Sequence, residues 1–196
     1  HGTAPGESDI DALYAQTEPM MIQAIREHAE LIPGMLELAG ALRRNTIKIG
    51  TSTGYSAPMV DALLPLVREQ GFVPDAVVCS SDVPAGRPYP WMCLLNAIRL
   101  QVYPLESLVK IGDTLSDIEA GLNAGMWTIG LSRSGNELGL TGEETEALDP
   151  QELDRRLQEV RNRFYESGAH YVVEGIWDLL PVLESIHESL SRGDQP

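Results

Sequence analysis

The feature that most constrains the fold is a regular alternation of apolar, β-rich runs with amphipathic helical patterns. It begins after the break at Ile32-Pro33-Gly34 and continues to the end of the chain. A strand, a helix and a further strand in succession favour parallel pairing through right-handed crossovers. The sequence therefore predicts an α/β fold with a mostly parallel sheet covered by helices on both faces. Strands are predicted at 46–52, 76–80, 108–112, 127–131 and 170–174, and helices at 35–44, 56–70, 90–100, 115–124, 150–167 and 176–190.

The segment before this alternation has a different pattern. Residues 1–8 predict a loop, and Ser8 is a good N-cap for a helix that reaches His28 and is kinked or interrupted at Pro19. Between the fourth strand and the next helix, residues 132–149 predict a long loop. These signals place a short appendage, 1–31, ahead of a main domain, 32–196.

The composition excludes some classes of function. The formal net charge is -15, from 29 acidic and 14 basic residues, and no basic stripe is present. A nucleic-acid-binding role is disfavoured, because such proteins concentrate Lys and Arg on one surface. The two cysteines, Cys79 and Cys93, lack metal-type spacing, which is typical of reduced, buried thiols in a cytoplasmic protein.

Two aspartates follow the predicted strand at 108–112. Asp113 comes directly after Gly112, and Asp117 lies four residues later, where a helical pattern begins. Parallel sheets bind ligands at the carboxyl ends of their strands, and neighbouring carboxylates favour a hard cation such as Mg²⁺. A capped helix with ordinary acidic residues in its first turn explains this stretch equally well.

Two other strand ends carry groups suited to a phosphoryl ligand. After the first strand come Thr51, Ser52, Thr53 and then Gly54, which offer hydroxyl groups and free backbone N–H groups. After the second strand, Arg87 stands between Gly86 and Pro88 and offers a guanidinium matched to phosphate oxygens. Each feature has an ordinary alternative: a polar loop for the hydroxyl residues, and a surface arginine for Arg87. Hydroxyls, a fixed cation and a carboxylate pair on successive strand ends indicate a phosphoryl site more specifically together than any of them does alone.

This combination resembles the haloacid dehalogenase superfamily, and within it the phosphonoacetaldehyde hydrolase (phosphonatase) family. The similarity rests on residues 47–55, 82–92, 112–117, 123–127 and 168–173, of which the AGRPYPW context of Arg87 is the most discriminating. The resemblance implies a Rossmann-like, three-layer parallel sheet, with residues 1–31 as the end of a helical cap and a linker.

The resemblance also implies a reaction. Members of this family use Mg²⁺ to cleave the C–P bond of phosphonoacetaldehyde into acetaldehyde and phosphate, during degradation of 2-aminoethylphosphonate. A cap lysine forms a Schiff base with the aldehyde, and an aspartate ending the first core strand attacks phosphorus. Members form homodimers through their caps. The superfamily more often has lysine where Arg87 stands.

Site roles follow from the resemblance, position by position. Thr53, with Thr51 and Ser52, would bind phosphoryl oxygens, and Tyr55 would line the substrate pocket. Arg87 would neutralise phosphoryl charge, as part of the catalytic group with Thr53 and Asp117. Asp117 would support the metal site or hold Arg87. Asp113 would be the Mg²⁺ ligand.

The motif of the nucleophile strand and the cap lysine have no counterpart in these 196 residues. Asp9 and Asp11 follow no apolar strand, and the two lysines, Lys48 and Lys110, fall within predicted core strands. We therefore expect the chain to be the C-terminal two-thirds of a longer enzyme and inactive alone. In the superfamily, the first strand lies between the strand that carries Thr53 and the strand that carries Asp113. Direct pairing of the strands at 46–52 and 108–112 would therefore contradict the expectation of a longer enzyme. The alternatives are a phosphatase or phosphomutase acting on a small phosphate ester and a non-catalytic phosphate-binding domain.

Overall fold

A computed structural model describes residues 6–196, with the side chains of Glu7 and Asp11 excepted. The prediction for residues 1–5, and any role of the Asp11 side chain, lie outside the described residues. The helices are α1 Glu7–Glu27, α2 Met35–Arg44, α3 Ala57–Glu69, α4 Trp91–Leu100, α5 Leu115–Asn123, α6 Gly142–Ala147, α7 Pro150–Glu166 and α8 Leu179–Arg192. The strands are β1 Gly50–Thr53, β2 Ala76–Cys79, β3 Val109–Gly112, β4 Trp127–Leu131 and β5 Tyr171–Val173, and single 3₁₀ turns cover Ser80–Asp82, Leu105–Ser107 and Ile176–Asp178.

All the described strands run parallel, which confirms the predicted α/β class. β1 pairs with β2, and β3, β4 and β5 form a second set in that order. Within the described residues, β1 and β3 are not paired with each other. A cavity of about 720 Å³ lies between them and is bordered by Gly50, Thr51 and Ser52 on one side and Val109, Lys110 and Ile111 on the other. We call this cavity the interstrand groove.

Helices cover both faces of the strands, as the periodicity predicted. On one face, side chains of α2 and α8 pack against Ile129 of β4, for example Leu38, Leu42 and Ile186. On the other face, α4 packs with α5, and α5 packs with α7 through Ile118 and Phe164. The result is three layers, with the carboxyl ends of β1, β2 and β3 at one edge.

The first strand is shorter than predicted. Residues 46–52 were expected to be extended, but the ladder with β2 begins only at Gly50, opposite Ala76. The preceding residues close α2: Thr46 has a left-handed backbone (φ 60°), and the Ile47 N–H donates to the Leu42 carbonyl. A helix-terminating turn therefore occupies the start of the predicted strand.

Of the two effects predicted for Pro19, an interruption of the helix is excluded. α1 includes Pro19, although proline removes one helical hydrogen bond. The freed carbonyl belongs to Ala15, which is exposed, so water can replace the lost N–H donor. The prediction of a continuous loop at 132–149 was wrong, because α6 lies inside that range and begins at a capping box between Thr141 and Glu144.

No helix in the described part of the chain is long and apolar enough to cross a membrane. The thiols of Cys79 and Cys93 are both free and buried, in agreement with the sequence prediction.

A pH dependence of folding is expected from His170, which links β4 to the segment before β5. Its Nδ1 accepts a hydrogen bond from the Thr128 backbone N–H (3.0 Å), and partial burial lowers the pKa of His170. Below a pH of about 6.5, the unfolded chain therefore binds more protons at this position than the folded chain. Stability should fall as the pH drops below about 6.5 and level off below the folded-state pKa.

Urea unfolding between pH 8 and pH 5 measures this effect. The variant His170→Asn, whose side-chain oxygen can still accept the Thr128 hydrogen bond, should lose less stability over that interval than the unaltered chain. His187→Asn changes an exposed histidine and serves as the control. Equal pH dependence of the unaltered chain and His170→Asn would contradict the expectation.

Candidate active site at the carboxyl ends of β1, β2 and β3

Arg87 connects the ends of three strands. It lies in the segment between the Ser80–Asp82 turn and α4, and its side chain is 27% exposed. Its Nη1 is 2.8 Å from Oδ1 of Asp117, at the start of α5. Its Nη2 lies 3.5 Å from where a β-carbon on Gly54 would be, so the guanidinium also lies against the loop after β1. One cation is thus placed between the hydroxyl loop and the carboxylate.

Asp117 is buried, with a side chain only 3% exposed, and its carboxylate is ion-paired with Arg87. Burial opposes its ionisation, but the Lys110 ammonium and hydrogen bonds from Lys110, Thr114 and Arg87 outweigh burial and lower the pKa of Asp117. Thr114 Oγ1 donates to the second carboxylate oxygen at 2.6 Å. Gly112 permits this position, because a β-carbon there would come within 2.2 Å of Asp117 Cβ. Both oxygens of Asp117 are engaged by protein donors.

Lys110 is a site residue that the sequence analysis did not assign. It lies on β3, where its Nζ is 2.8 Å from Asp117 Oδ1 and donates to Ser52 Oγ at 3.1 Å, across the interstrand groove. A lysine within an otherwise apolar strand was a usable signal, since buried lysines are rare unless paired. Its amine is therefore engaged by Asp117 and Ser52. Lys48, the other lysine, donates to the Leu100 carbonyl.

The hydroxyl residues of β1 point in two directions. Successive side chains of a strand alternate between faces, so Thr51 and Thr53 lie opposite to Ser52. Ser52 accepts from Lys110, whereas Thr53 Oγ1 accepts from the Tyr55 N–H at 3.2 Å. Within residues 6–196 the Thr53 hydroxyl proton has no hydrogen-bond acceptor, so it can donate to a ligand. The Thr51 carbonyl accepts from Asn96. The Tyr55 carbonyl accepts from the Ser80 hydroxyl and holds this loop against the end of β2.

Asp113 follows β3, and its contacts come from the loop after β4. The backbone N–H and the side-chain amide of Asn136 both donate to Asp113 Oδ2, at 2.9 and 2.8 Å. No residue of that loop was among the predicted site residues. No salt bridge joins Asp113 to Arg87 among the residues that the structure describes.

The described residues of the site could supply one carboxylate to a hard divalent cation. Within residues 6–196, no group of three or more His, Cys, Asp and Glu side chains is close enough to hold a metal. Asp117 is occupied by Arg87, Lys110 and Thr114, so Asp113 is the carboxylate of the pair with an oxygen to offer. Mg²⁺ is commonly bound by one or two carboxylates, substrate phosphate oxygens and water.

Other candidate nucleophiles do not fit the site. Burial raises the pKa of Cys93, so its thiol is the protonated form. Asp9 lies in the first turn of α1, where its carboxylate accepts from the Gly6 N–H.

Comparison with known proteins identifies the family to which this site belongs. The model for haloacid dehalogenase-like hydrolases matches residues 2–125, and a second model of this kind, HAD-hydrolase-like, matches residues 84–179. A phosphonoacetaldehyde hydrolase of Syntrophobacter fumaroxidans is 55% identical over 195 residues, which are 100% of this chain and 70% of that protein. The chain belongs to the phosphonoacetaldehyde hydrolase family of haloacid dehalogenase-like hydrolases.

Other members of this family agree with the assignment. A phosphonoacetaldehyde hydrolase of Bacillus mycoides is 46% identical over 187 residues, covering 95% of this chain and 71% of that protein. The crystal structure of a phosphonoacetaldehyde hydrolase-like protein from Oleispira antarctica superposes with a TM-score of 0.96 at 39% identity. That match covers 100% of this chain and 71% of that one. The family and the fold that the sequence motifs predicted are therefore confirmed.

Proposed function

We propose that the site takes part in hydrolysis of the C–P bond of phosphonoacetaldehyde, giving acetaldehyde and phosphate. The observation that carries the proposal is the position of Arg87, which contacts Asp117 and lies against Gly54. The hydroxyl loop, the guanidinium and the Asp117 carboxylate therefore lie close together at the strand ends. A relative at 55% identity that is named for this reaction supports the choice of substrate.

The chain's own residues would bind and orient the phosphonate group. The free Thr53 hydroxyl donates to a phosphoryl oxygen, and the Arg87 guanidinium neutralises charge that develops on the phosphoryl group. Asp117 positions Arg87, and Lys110 keeps Asp117 ionised when Arg87 turns toward substrate. Thr51 and Ser52 flank this loop, and Tyr55 lines the pocket.

Asp113 would hold Mg²⁺, with substrate oxygens and water completing the coordination. A bound Mg²⁺ supplies charge stabilisation to the phosphoryl oxygens during the transfer. Asn96 and Lys110, which border the interstrand groove, remain outside this coordination and contact β1 instead.

The remaining catalytic groups would come from additional polypeptide. We propose that the chain is the C-terminal part of a longer enzyme, whose further strand occupies the interstrand groove and ends in the nucleophilic aspartate. The unpaired facing edges of β1 and β3 support this, because unpaired strand edges favour pairing with another strand. An aspartate at the end of such a strand would lie between Arg87 and Asp113. Residues 1–31 are then the end of the cap, which would also carry the Schiff-base lysine.

A homodimer and a cytoplasmic location complete the proposal. α1, which belongs to the proposed cap segment, exposes several large apolar side chains that a second copy could cover: Ile10, Leu13, Tyr14, Met20 and Met21. The two buried free thiols agree with a reducing compartment.

The test gives the longer polypeptide two kinds of substrate, phosphonoacetaldehyde and small phosphate esters, in the presence of Mg²⁺ and measures the release of phosphate. We expect it to release phosphate from phosphonoacetaldehyde, and the 196-residue chain alone to release none. Turnover of small phosphate esters without turnover of phosphonoacetaldehyde would favour the phosphatase or phosphomutase alternative. Binding of phosphate without turnover of either would favour a non-catalytic domain.

A further inference from the structure

The loop after β4 makes an unusual contact with the predicted metal ligand. Two donors from one residue, the backbone N–H and the side-chain amide of Asn136, converge on the same oxygen of Asp113. The distances, 2.9 and 2.8 Å, are those of well-formed hydrogen bonds to a charged acceptor. With Oδ2 held in this way, the torsion of the Asp113 side chain is fixed, and Oδ1 is the oxygen left for another ligand.

The loop approaches Asp113 very closely. A β-carbon on Gly135 would lie 2.3 Å from the Asp113 β-carbon, a separation that two such atoms cannot adopt. Glycine at 135 therefore lets the backbone pass directly beside Asp113 and brings the N–H of the next residue within reach of the carboxylate.

The loop is anchored on both sides of Asn136. On one side, the backbone N–H groups of Arg133 and Ser134 donate to the Glu174 carbonyl after β5, at 2.9 and 3.2 Å. On the other side, Glu137 forms an ion pair with Arg163 of α7 at 2.8 Å, and Arg163 also donates to the Glu137 carbonyl at 2.9 Å. Because Asn136 lies between two fixed points, its donors are held in place before any ligand arrives.

We propose that Asn136 is a positioning residue that aims Asp113 at a divalent cation, with the Glu137–Arg163 pair as the distal anchor of the loop. The inference rests on the proposed function in one respect, the assignment of Asp113 as the metal ligand. Hydrogen-bond partners of metal ligands set the orientation of those ligands, and their loss commonly weakens metal binding by about 10- to 100-fold. Asn136 would act through Asp113, without contact to substrate.

The test measures Mn²⁺ binding to the metal-free longer enzyme and its variants. Mn²⁺ prefers the same oxygen ligands as Mg²⁺, and it broadens nuclear magnetic resonance signals near its site, which reports weak binding as well as strong. We expect broadening centred on residues 113 and 136 in the unaltered chain. Asn136→Ala should raise the Mn²⁺ dissociation constant on the order of 10-fold. Arg163→Met should raise it by a smaller factor.

Two controls separate positioning from a general loss of structure. Asn162→Ala removes an exposed asparagine of α7 that bonds to Gln158, and it should leave Mn²⁺ binding unchanged. Asn136→Ala and Asn162→Ala should have similar melting temperatures without metal, since neither side chain belongs to the core. Asp113→Asn should abolish the broadening at residue 113.

The outcomes distinguish this inference from the proposed function. If Asp113→Asn weakens Mn²⁺ binding but Asn136→Ala stays within about twofold of the unaltered chain, Asn136 is an ordinary loop residue and the inference fails alone. If Asp113→Asn leaves Mn²⁺ binding unchanged, Asp113 is not the ligand, and both the inference and that part of the proposed function are wrong.

Discussion

Replacing Arg87 with alanine is expected to lower kcat by about 10²- to 10³-fold in the longer enzyme, the usual effect of losing one stabiliser of transition-state charge. In the structure Arg87 is the cation that contacts both Asp117 and the loop after β1. Asp117 keeps Lys110 and Thr114 as partners in the variant, so its charge remains paired and the fold should persist. The loss should therefore appear in turnover with little change in the unfolding midpoint.

Two further variants show whether the effect is specific. Arg87→Lys keeps a charge but loses the planar fork, so it should recover only part of the lost activity. Arg99→Ala removes an arginine of α4 that is also ion-paired, to Asp82 at 3.3 Å, and it should keep nearly full activity. Unchanged turnover in Arg87→Ala would show that Arg87 is a turn residue with no role at phosphorus.

Borohydride is expected to inactivate the longer enzyme almost completely when phosphonoacetaldehyde is present. The proposed reaction passes through an imine between a lysine and the aldehyde, and borohydride reduces an imine to a stable secondary amine. The enzyme should survive borohydride without the aldehyde, because no imine then exists. Loss of activity is measured after removal of the reagents, and the modified residue is found by peptide mass spectrometry.

The structure specifies which lysines should remain unmodified. Lys110 is ion-paired with Asp117, and Lys48 is held by the Leu100 carbonyl, so the reduced adduct should lie on neither. Lys48→Arg supplies a matched control, because it retains a donor at this position and should be trapped at the same rate as the unaltered enzyme. Full activity after treatment with both reagents would contradict the imine, and an adduct on Lys110 would contradict its proposed role.

Most of the fold could be predicted from the sequence, because hydrophobic periodicity determines which elements form and which faces are buried. The predictions failed where a local signal was overridden or overlooked. Thr46 lies in a left-handed turn that ends α2, so β1 starts later than its β-rich composition suggests. The capping box at Thr141 and Glu144 was a readable helix start within a segment whose glycines favoured a loop.

The candidate site was less predictable than the fold. Two of its residues, Lys110 and Asn136, make contacts that only the tertiary structure creates. Asp113 and Arg87 were predicted from their positions after strands, because parallel sheets generally bind ligands at the carboxyl ends of their strands. Lys110 lies within β3 and reaches Asp117 because the start of α5 folds back over Gly112. Asn136 is 23 residues from Asp113, in a loop whose composition shows no catalytic pattern.

Product formation by the longer enzyme shows whether this site serves C–P bond hydrolysis. Acetaldehyde and phosphate should both be measured over time with phosphonoacetaldehyde and Mg²⁺. We expect equimolar release of the two products and the loss of this release when Arg87 is replaced. Absence of both products under conditions where the same enzyme hydrolyses small phosphate esters would contradict this expectation.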